Sequence, residues 1–309
     1  MDTFIVAFEA VLPLFLVILT GTLFARLKMA SQSWVEILNK YALMIGFPAL
    51  VIVSMLHIET ELKTYLPLIL TNSVYIVATI LLAYPVSALL GFSTRMKRSL
   101  FLILPFGNIA YLGIPVLSNA YGTAILPVAA IISSVYVFWM LTLGLILVEV
   151  HGNQRFNLKR VVLSLLANPL LISVFVGITI VVFGITLPTF LDKTVRLFAD
   201  SVTAVVLFSL GIFLGIQNFG KRREWFQVAA FTAATMLALP ALFFSLLKFS
   251  NLPPDQIKST VLDAAMPLGL TPYALSVQYQ LETKLFARIV VLGTLLSIVI
   301  LPLWITVLG

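Results

Sequence analysis

Two stretches, Gly107-Asn108-Ile109-Ala110-Tyr111-Leu112-Gly113-Ile114-Pro115 and Ala264-Ala265-Met266-Pro267-Leu268-Gly269-Leu270-Thr271-Pro272-Tyr273, place glycine and proline inside apolar runs of membrane-spanning length. An unbroken helix would be the lower-energy choice there. Backbone opened inside a bilayer is tolerated only where protein or a water-filled cavity satisfies its polar groups. The two breaks hold the same ordinal place in the two halves of the chain. Such a matched pair points to the binding site of a transporter.

The composition around them belongs to a membrane protein. Of 309 residues, 61% are hydrophobic and 10% charged, and the mean hydropathy is +1.11. A soluble chain of this length needs far more charge to cover its surface. Uncharged runs extend from Ser99 to Val148, Val161 to Leu191, Trp225 to Leu247 and Ile289 to Gly309. Since about 20 apolar residues cross a bilayer as helix, the pattern divides into ten spans. They fall at 4–25, 34–56, 65–90, 98–118, 124–148, 161–183, 196–217, 225–247, 258–280 and 286–308.

The net charge of +7 raises the question of a nucleic-acid partner, and the placement of the charges answers it. Odd-numbered loops carry Arg26, Lys28, Arg95, Lys97, Arg98, Arg155, Lys159, Arg160, Lys221, Arg222, Arg223, Lys284 and Arg288. Even-numbered loops and flanks carry only Lys63, Lys193, Arg196, Lys248 and Lys258. The positive-inside rule then puts the odd loops in the cytoplasm and both termini on the outer side of the plasma (cytoplasmic) membrane. No nucleic-acid partner is expected. Met1-Asp2-Thr3 lacks a positive n-region, and Arg26 and Lys28 follow the first apolar run, as a retained first helix requires. With no cysteine, disulfides, thiolate metal sites and thiol catalysis are excluded. No metal or cofactor is expected.

The longest cytoplasmic connection, His151 to Arg160, divides the chain into repeats at 1–150 and 151–309. Five spans per half is an odd number, so the second half enters the membrane in the opposite sense. Pro13-Leu14 with Gly21 in span one matches Pro169-Leu170 with Gly177 in span six at the same spacing. The expected fold is therefore an all-α polytopic membrane protein. It has ten transmembrane helices in two inverted five-helix repeats, with crossover helices four and nine broken.

At the first break Pro115 is suited to open a new half-helix, because its fixed φ fits there and its missing N–H would be unpaired anyway. Gly107 and Gly113 permit close approach or unusual backbone angles. At the second, Thr271 and Pro272 read as an N-cap and first helical residue. Both half-helices then begin near the midplane, with free N–H groups and about half a positive charge at each end. Two such ends facing one cavity form an anion site without a buried cation. Asn108 and Thr271 offer polar side chains, and Tyr111 and Tyr273 offer hydroxyls or aromatic walls.

Asp263 lies one turn above the second break. An ionisable group in a membrane is a functional candidate. It is read either as a coupling-ion site or outer-vestibule residue, or as a solvated group near the outer surface. Glu9 is read as solvated, and Lys40 as snorkelling to the cytoplasmic headgroups. Gly211 and Gly215 form a small-xxx-small pair that suits close helix packing. Trp34, Trp225 and Trp304 read as interfacial anchors and Trp139 as packing. His57 and His151 fall in loops on opposite sides and cannot share a metal.

At these residues the chain resembles the auxin efflux carrier family, which includes the plant PIN carriers and many bacterial transporters. The resemblance is carried by Asn108-x4-Gly113-Ile114-Pro115 with Tyr121-Gly122, and by Ala264-Ala265-Met266-Pro267-x-Gly269-Leu270-x-Pro272-Tyr273. Phe208-Ser209-Leu210-Gly211-Ile212-Phe213, Asn168-Pro169, and Asn39-Lys40-Tyr41 leading to Pro48 also resemble it. The resemblance implies the fold shared with sodium–bile acid symporters. Spans one, two, six and seven would form a scaffold, often dimeric in the plant members. Spans three to five and eight to ten would form a mobile transport domain. It also implies that Asn108 is the carboxylate partner, with Pro115 and Pro267 or Pro272 shaping the crossover. The chain departs from the plant pattern at Asn168-Pro169-Leu170, where the plant carriers have a second Asn, and at Asn72, where they have an Asp. A smaller carboxylate than auxin is therefore expected.

The leading expectation is a secondary carrier of a small organic anion, working by elevator-type alternating access in the lipid bilayer, with a homodimer formed through the scaffold helices. A sodium-coupled symporter of the bile-acid type and a membrane sensor that binds the anion without moving it are the alternatives. With neither a nucleophile–base pair nor a metal cluster in view, an enzyme is not expected.

Overall fold

The computed structural model describes residues 2–56, 62–152, 158–217 and 225–309. His57, Arg155, Lys221, Arg222 and Arg223 lie outside the described residues. The described chain is helical, without strands. Among the described residues, seven helices are long and apolar enough to cross a membrane. We label the helices in chain order: α1 Asp2–Arg26, α2 Gln32–Met55, α3 Leu66–Leu89, α4 Thr94–Ile103, α5 at 109–121, α6 Thr123–Val150, α7 Leu158–Leu166, α8 Pro169–Val182, α9 Thr189–Ile216, α10 Trp225–Leu247, α11 Pro254–Ala264, α12 Leu270–Gln278 and α13 Thr283–Leu308. The remaining helices are short. The pairs α4/α5 and α11/α12 are each separated by a few non-helical residues at the expected breaks.

Proline shapes several of the long helices without ending them. Pro48, Pro115 and Pro240 each stand two residues beyond a wider π-helical turn, at Ala42–Gly46, Ile109–Gly113 and Ala234–Ala238. A proline ring crowds the preceding turn and cannot donate to the carbonyl four residues back, and a π turn accommodates the extra space. In α10 the carbonyl so deprived is that of Met236, and Trp304 Nε1–H donates to it at 2.9 Å. Trp304, expected as an interfacial anchor, is instead 8% exposed and packed inside. Its indole supplies the hydrogen bond that Pro240 cannot.

Helix α1 lies against α9 at backbone distance. A Cβ on Gly21 would fall 2.2 Å from the Phe208 carbonyl oxygen, and one on Gly211 2.0 Å from that of Ile18. The Thr22 hydroxyl reaches both the Ile18 and Gly211 carbonyls at 3.0 Å. In lipid, helices gain little from hydrophobic burial against each other, so close packing and interhelical hydrogen bonds carry the association. Gly215 meets Thr22 and Ala25 in the same way, so the small-residue pair packs as its spacing suggested. Elsewhere large apolar side chains such as Leu89, Phe175, Phe226 and Phe249 stand exposed, as a lipid-facing surface requires.

The interior is built around the breaks. Phe101, Leu102, Ile103, Leu112, Val261 and Leu262 are among the fully buried side chains. The start of α4 is tied to the chain leaving α12. Arg95 pairs with Glu282 at 3.3 Å and donates to the Leu281 carbonyl, while the Glu282 N–H donates to Ser99 Oγ at 3.1 Å. The first half of one broken segment therefore lies beside the second half of the other.

Candidate functional site

The chain after α4 runs extended through Phe106-Gly107-Asn108, and the chain after α11 does the same through Pro267-Leu268-Gly269. They cross antiparallel, with Gly107 paired to Leu268. The Asn108 N–H donates to the Pro267 carbonyl at 2.6 Å, and the Gly269 N–H to the Phe106 carbonyl at 3.3 Å. Each break thus satisfies part of the other's backbone, as an opened helix inside a membrane demands. The crossing is tight at both glycines. A Cβ on Gly107 would fall 2.9 Å from the Met266 carbonyl oxygen, and one on Gly269 3.1 Å from that of Gly107.

Both second half-helices begin here, though not at the expected residues. The first starts with the π turn at Ile109, and the Asn108 carbonyl accepts from the Leu112 and Gly113 N–H groups. Pro115 is therefore inside α5 and buried rather than at its start. The second starts at Leu270 with Gly269 as its cap, and no side chain caps it. Thr271 and Pro272 are its second and third residues, which corrects the reading of Thr271 as N-cap. A first-turn residue has no intrahelical use for its N–H, so proline is accepted there at more than one position.

The two helix starts face one cavity of about 180 Å³. Asn108, Ile109, Ala110, Tyr111, Gly269, Thr271 and Pro272 line it from the breaks. Leu43, Met44 and Phe47 of α2, Tyr136 and Met140 of α6, and Asn168, Pro169 and Leu170 complete the wall. Asn168 caps α8, accepting from the Leu170 and Leu171 N–H groups, and that turn sets the apolar Leu170 against the cavity. Asn108 is 2% exposed, and neither its amide oxygen nor its amide nitrogen has a hydrogen-bond partner. Buried amides are nearly always satisfied, which sets this one apart.

The other expected site residues divide by position. Tyr111 is buried edge-on to Phe47, with ring centroids 5.3 Å apart, and walls the cavity. Tyr273 sits edge-on to Phe213 and lines a second cavity of about 450 Å³ instead. That cavity shares Leu43, Met44, Tyr111 and Thr271 with the first, and extends along α2 past Lys40, Asn39 and Glu36 to Gln32. Lys40 is exposed on its wall. Gly113, Pro115 and Pro267 stand behind the crossing and line neither cavity.

Asp263 is 1% exposed, with both carboxyl oxygens unpartnered, which removes the reading of a solvated surface group. A Cβ on Gly113 would lie 2.6 Å from Asp263 Oδ1. Asn72 is also buried, donating to Thr260 Oγ1 at 3.1 Å and to the Leu68 carbonyl. Sequence reasoning missed Tyr136, whose buried hydroxyl has no partner and whose ring lines the cavity. A lone tyrosine within an apolar run was its only signal. Among the described residues no group of acidic, histidine or cysteine side chains gathers to hold a metal.

Crossed half-helices within an apolar helical body, facing a cavity, suit a membrane transporter. The chain belongs to the auxin efflux carrier family: the family model described as "Membrane transport protein" matches residues 6–305. An uncharacterized transporter of Methanothermobacter thermautotrophicus is 24% identical over 308 residues, covering 97% of this chain and 98% of that protein. The uncharacterized transporter YfdV of Escherichia coli K12 is 24% identical over 311 residues, covering 96% of each. A probable auxin efflux carrier component of rice, 3b, is 23% identical over 159 residues, which is 50% of this chain and 27% of the plant protein. These relatives are transporters by name, and the chain is a multi-pass membrane transporter rather than an enzyme.

Proposed function

We propose that this protein is a secondary carrier of a small organic anion, a carboxylate, held where the two breaks cross. The observation that carries the reading is Asn108, buried and unpartnered in the cavity between two helix starts. Amide and backbone N–H groups with the positive ends of two helix dipoles suit an anion. The residues lining this cavity include no Lys or Arg, so the helix starts carry the attraction there. A volume of about 180 Å³ lies below the range of roughly 300–1,000 Å³ for drug-sized pockets, which favours a compact acid. Leu170 keeps that wall apolar.

The working architecture is ten membrane segments in two inverted repeats, 1–150 and 151–309. The seven long helices supply seven segments, and α4/α5, α7/α8 and α11/α12 supply the three interrupted ones. Helices α1, α2 and α7 to α9 form the scaffold, through which two copies dimerise. The rest forms a transport domain that carries the crossing from one side of the bilayer to the other. With both termini outside the cytoplasmic membrane, the cavity past Lys40 opens inward, and the described arrangement is the inward-facing one. The buried Asp263 favours coupling to a cation, and sodium symport is the second reading on this ground.

A thermal-shift screen of purified protein against monocarboxylates and dicarboxylates, followed by uptake into proteoliposomes, tests the reading. A ligand that binds the native state raises its apparent stability. A compact carboxylate should raise the midpoint and be taken up. A protein stabilised only by cationic or neutral solutes would overturn the assignment.

A further inference from the structure

The anion site and Asp263 are too close to be independent. A point at the Cβ position of Gly113 lies 2.6 Å from Asp263 Oδ1 and 3.7 Å from the Asn108 carbonyl oxygen. Tyr136 links the same two places, since it lines the cavity and lies in the electrostatic neighbourhood of Asp263. A buried charge without a partner is costly, and Asp263 has neither an ion pair nor a hydrogen bond to either oxygen. Asp263 stands behind the crossing and lines neither cavity. An anion at Asn108 and a carboxylate at Asp263 would still put two like charges close together in a low-dielectric interior. At an effective dielectric near 20, unit charges within about 10 Å change an affinity at least roughly tenfold.

We infer that anion binding at the crossing requires a proton on Asp263, so that the carrier moves one proton with each anion. The inference rests on the carboxylate-carrier reading above and adds its coupling. The neighbours of Asp263 leave it no other counter-charge. Helix α6 presents Tyr136. On α3 the Asn72 amide bonds Thr260, about one turn before Asp263 on α11, and Tyr75 stacks on Phe243. Tyr111, at the start of α5, turns to Phe47 and the cavity. The second half of α10 carries no titratable side chain, and α13 carries Lys284 and Arg288 only near its start. On α11 itself, Asp255 and Lys258 lie in its first turns, where Lys258 bonds the Gly309 carbonyl and covers the Tyr121 ring. A proton suits a single carboxyl, whereas divalent or alkali cations gather several oxygen ligands.

The sign follows from linkage. If the anion binds only the protonated form, affinity is constant while Asp263 keeps its proton and falls about tenfold per pH unit once it is lost. The probes are pyruvate, lactate, benzoate and indole-3-acetate, monocarboxylates ionised above about pH 6. Their binding and their uptake into proteoliposomes are measured for the wild type and Asp263→Asn. In the wild type an inward proton gradient should accelerate uptake at least tenfold, and membrane potential should have little effect. Asp263→Asn should bind the same probe with pH-independent affinity, ignore the proton gradient and respond to potential, because the anion then crosses alone. A proton-gradient effect that is absent from the wild type, or that persists in Asp263→Asn, overturns the inference, as does uptake driven by sodium instead. If Asp263→Asn does not fold, the wild-type gradient response decides alone. If neither these probes nor the dicarboxylates of the screen above bind the wild type at any pH, the carrier reading fails and the inference with it. Binding without proton dependence overturns the inference only.

Discussion

Gly107→Ala tests whether the two breaks touch as described. A Cβ there would fall 2.9 Å from the Met266 carbonyl oxygen and 3.0 Å from Met266 Cβ. Both are attached to fixed backbone, so no flexible side chain can swing away. Relief requires the strands of the crossing to part by several tenths of an ångström. Overpacking of this kind costs about 1–3 kcal/mol. The same movement lengthens the bonds from Asn108 N–H to Pro267 and from Gly269 N–H to Phe106, each contributing about 0.5–1.5 kcal/mol. The expected loss is therefore about 2–4 kcal/mol of stability, read as a lowered unfolding midpoint in detergent. Carboxylate affinity should fall by at least tenfold, because Asn108 is the next residue. A Gly107→Ala protein with the wild-type midpoint and affinity would refute the contact.

Two further substitutions examine separate parts of the account. Trp304→Phe removes the donor to the Met236 carbonyl and should destabilise by about 1–2 kcal/mol, seen in the unfolding midpoint, with transport of the surviving protein unchanged. Lys40→Ala removes an exposed cation from the wall of the larger cavity. It should slow anion uptake on the order of two- to tenfold at low ionic strength, and the difference should shrink as salt screens the charge.

What was legible in the sequence was written in glycine and proline, because these residues report directly on the backbone. Gly107 and Gly269 marked the crossing, and Gly211 with Gly215 marked a close helix contact, though not that its partner is Gly21 and Thr22 of α1. The exact starts of the half-helices were not legible. Free N–H groups in a first turn admit proline at several positions, and the π turn at Ile109–Gly113 moved the start six residues before Pro115. Trp304 was misread because its partner is a carbonyl in a distant helix, exposed by Pro240. The burial of Asp263 and the place of Tyr136 depend on packing between α5, α6 and α11, for which local pattern carries no signal. Asn108 was one of several polar side chains at the breaks until resemblance singled it out, and its unsatisfied amide supplies the physical reason that resemblance lacked.

Asn108→Ala gives the most direct measure of the central claim. The Asn108 side chain makes no hydrogen bond within the protein, so its removal costs no internal bond, and residues kept for binding are often neutral or costly for stability. A hydrogen bond to a charged ligand contributes about 1.5–3 kcal/mol. Titration of the purified variant with the carboxylate that the wild type binds should therefore show affinity reduced roughly 10- to 150-fold, with the unfolding midpoint equal to or above that of the wild type. Unchanged affinity in a folded Asn108→Ala protein would contradict the account.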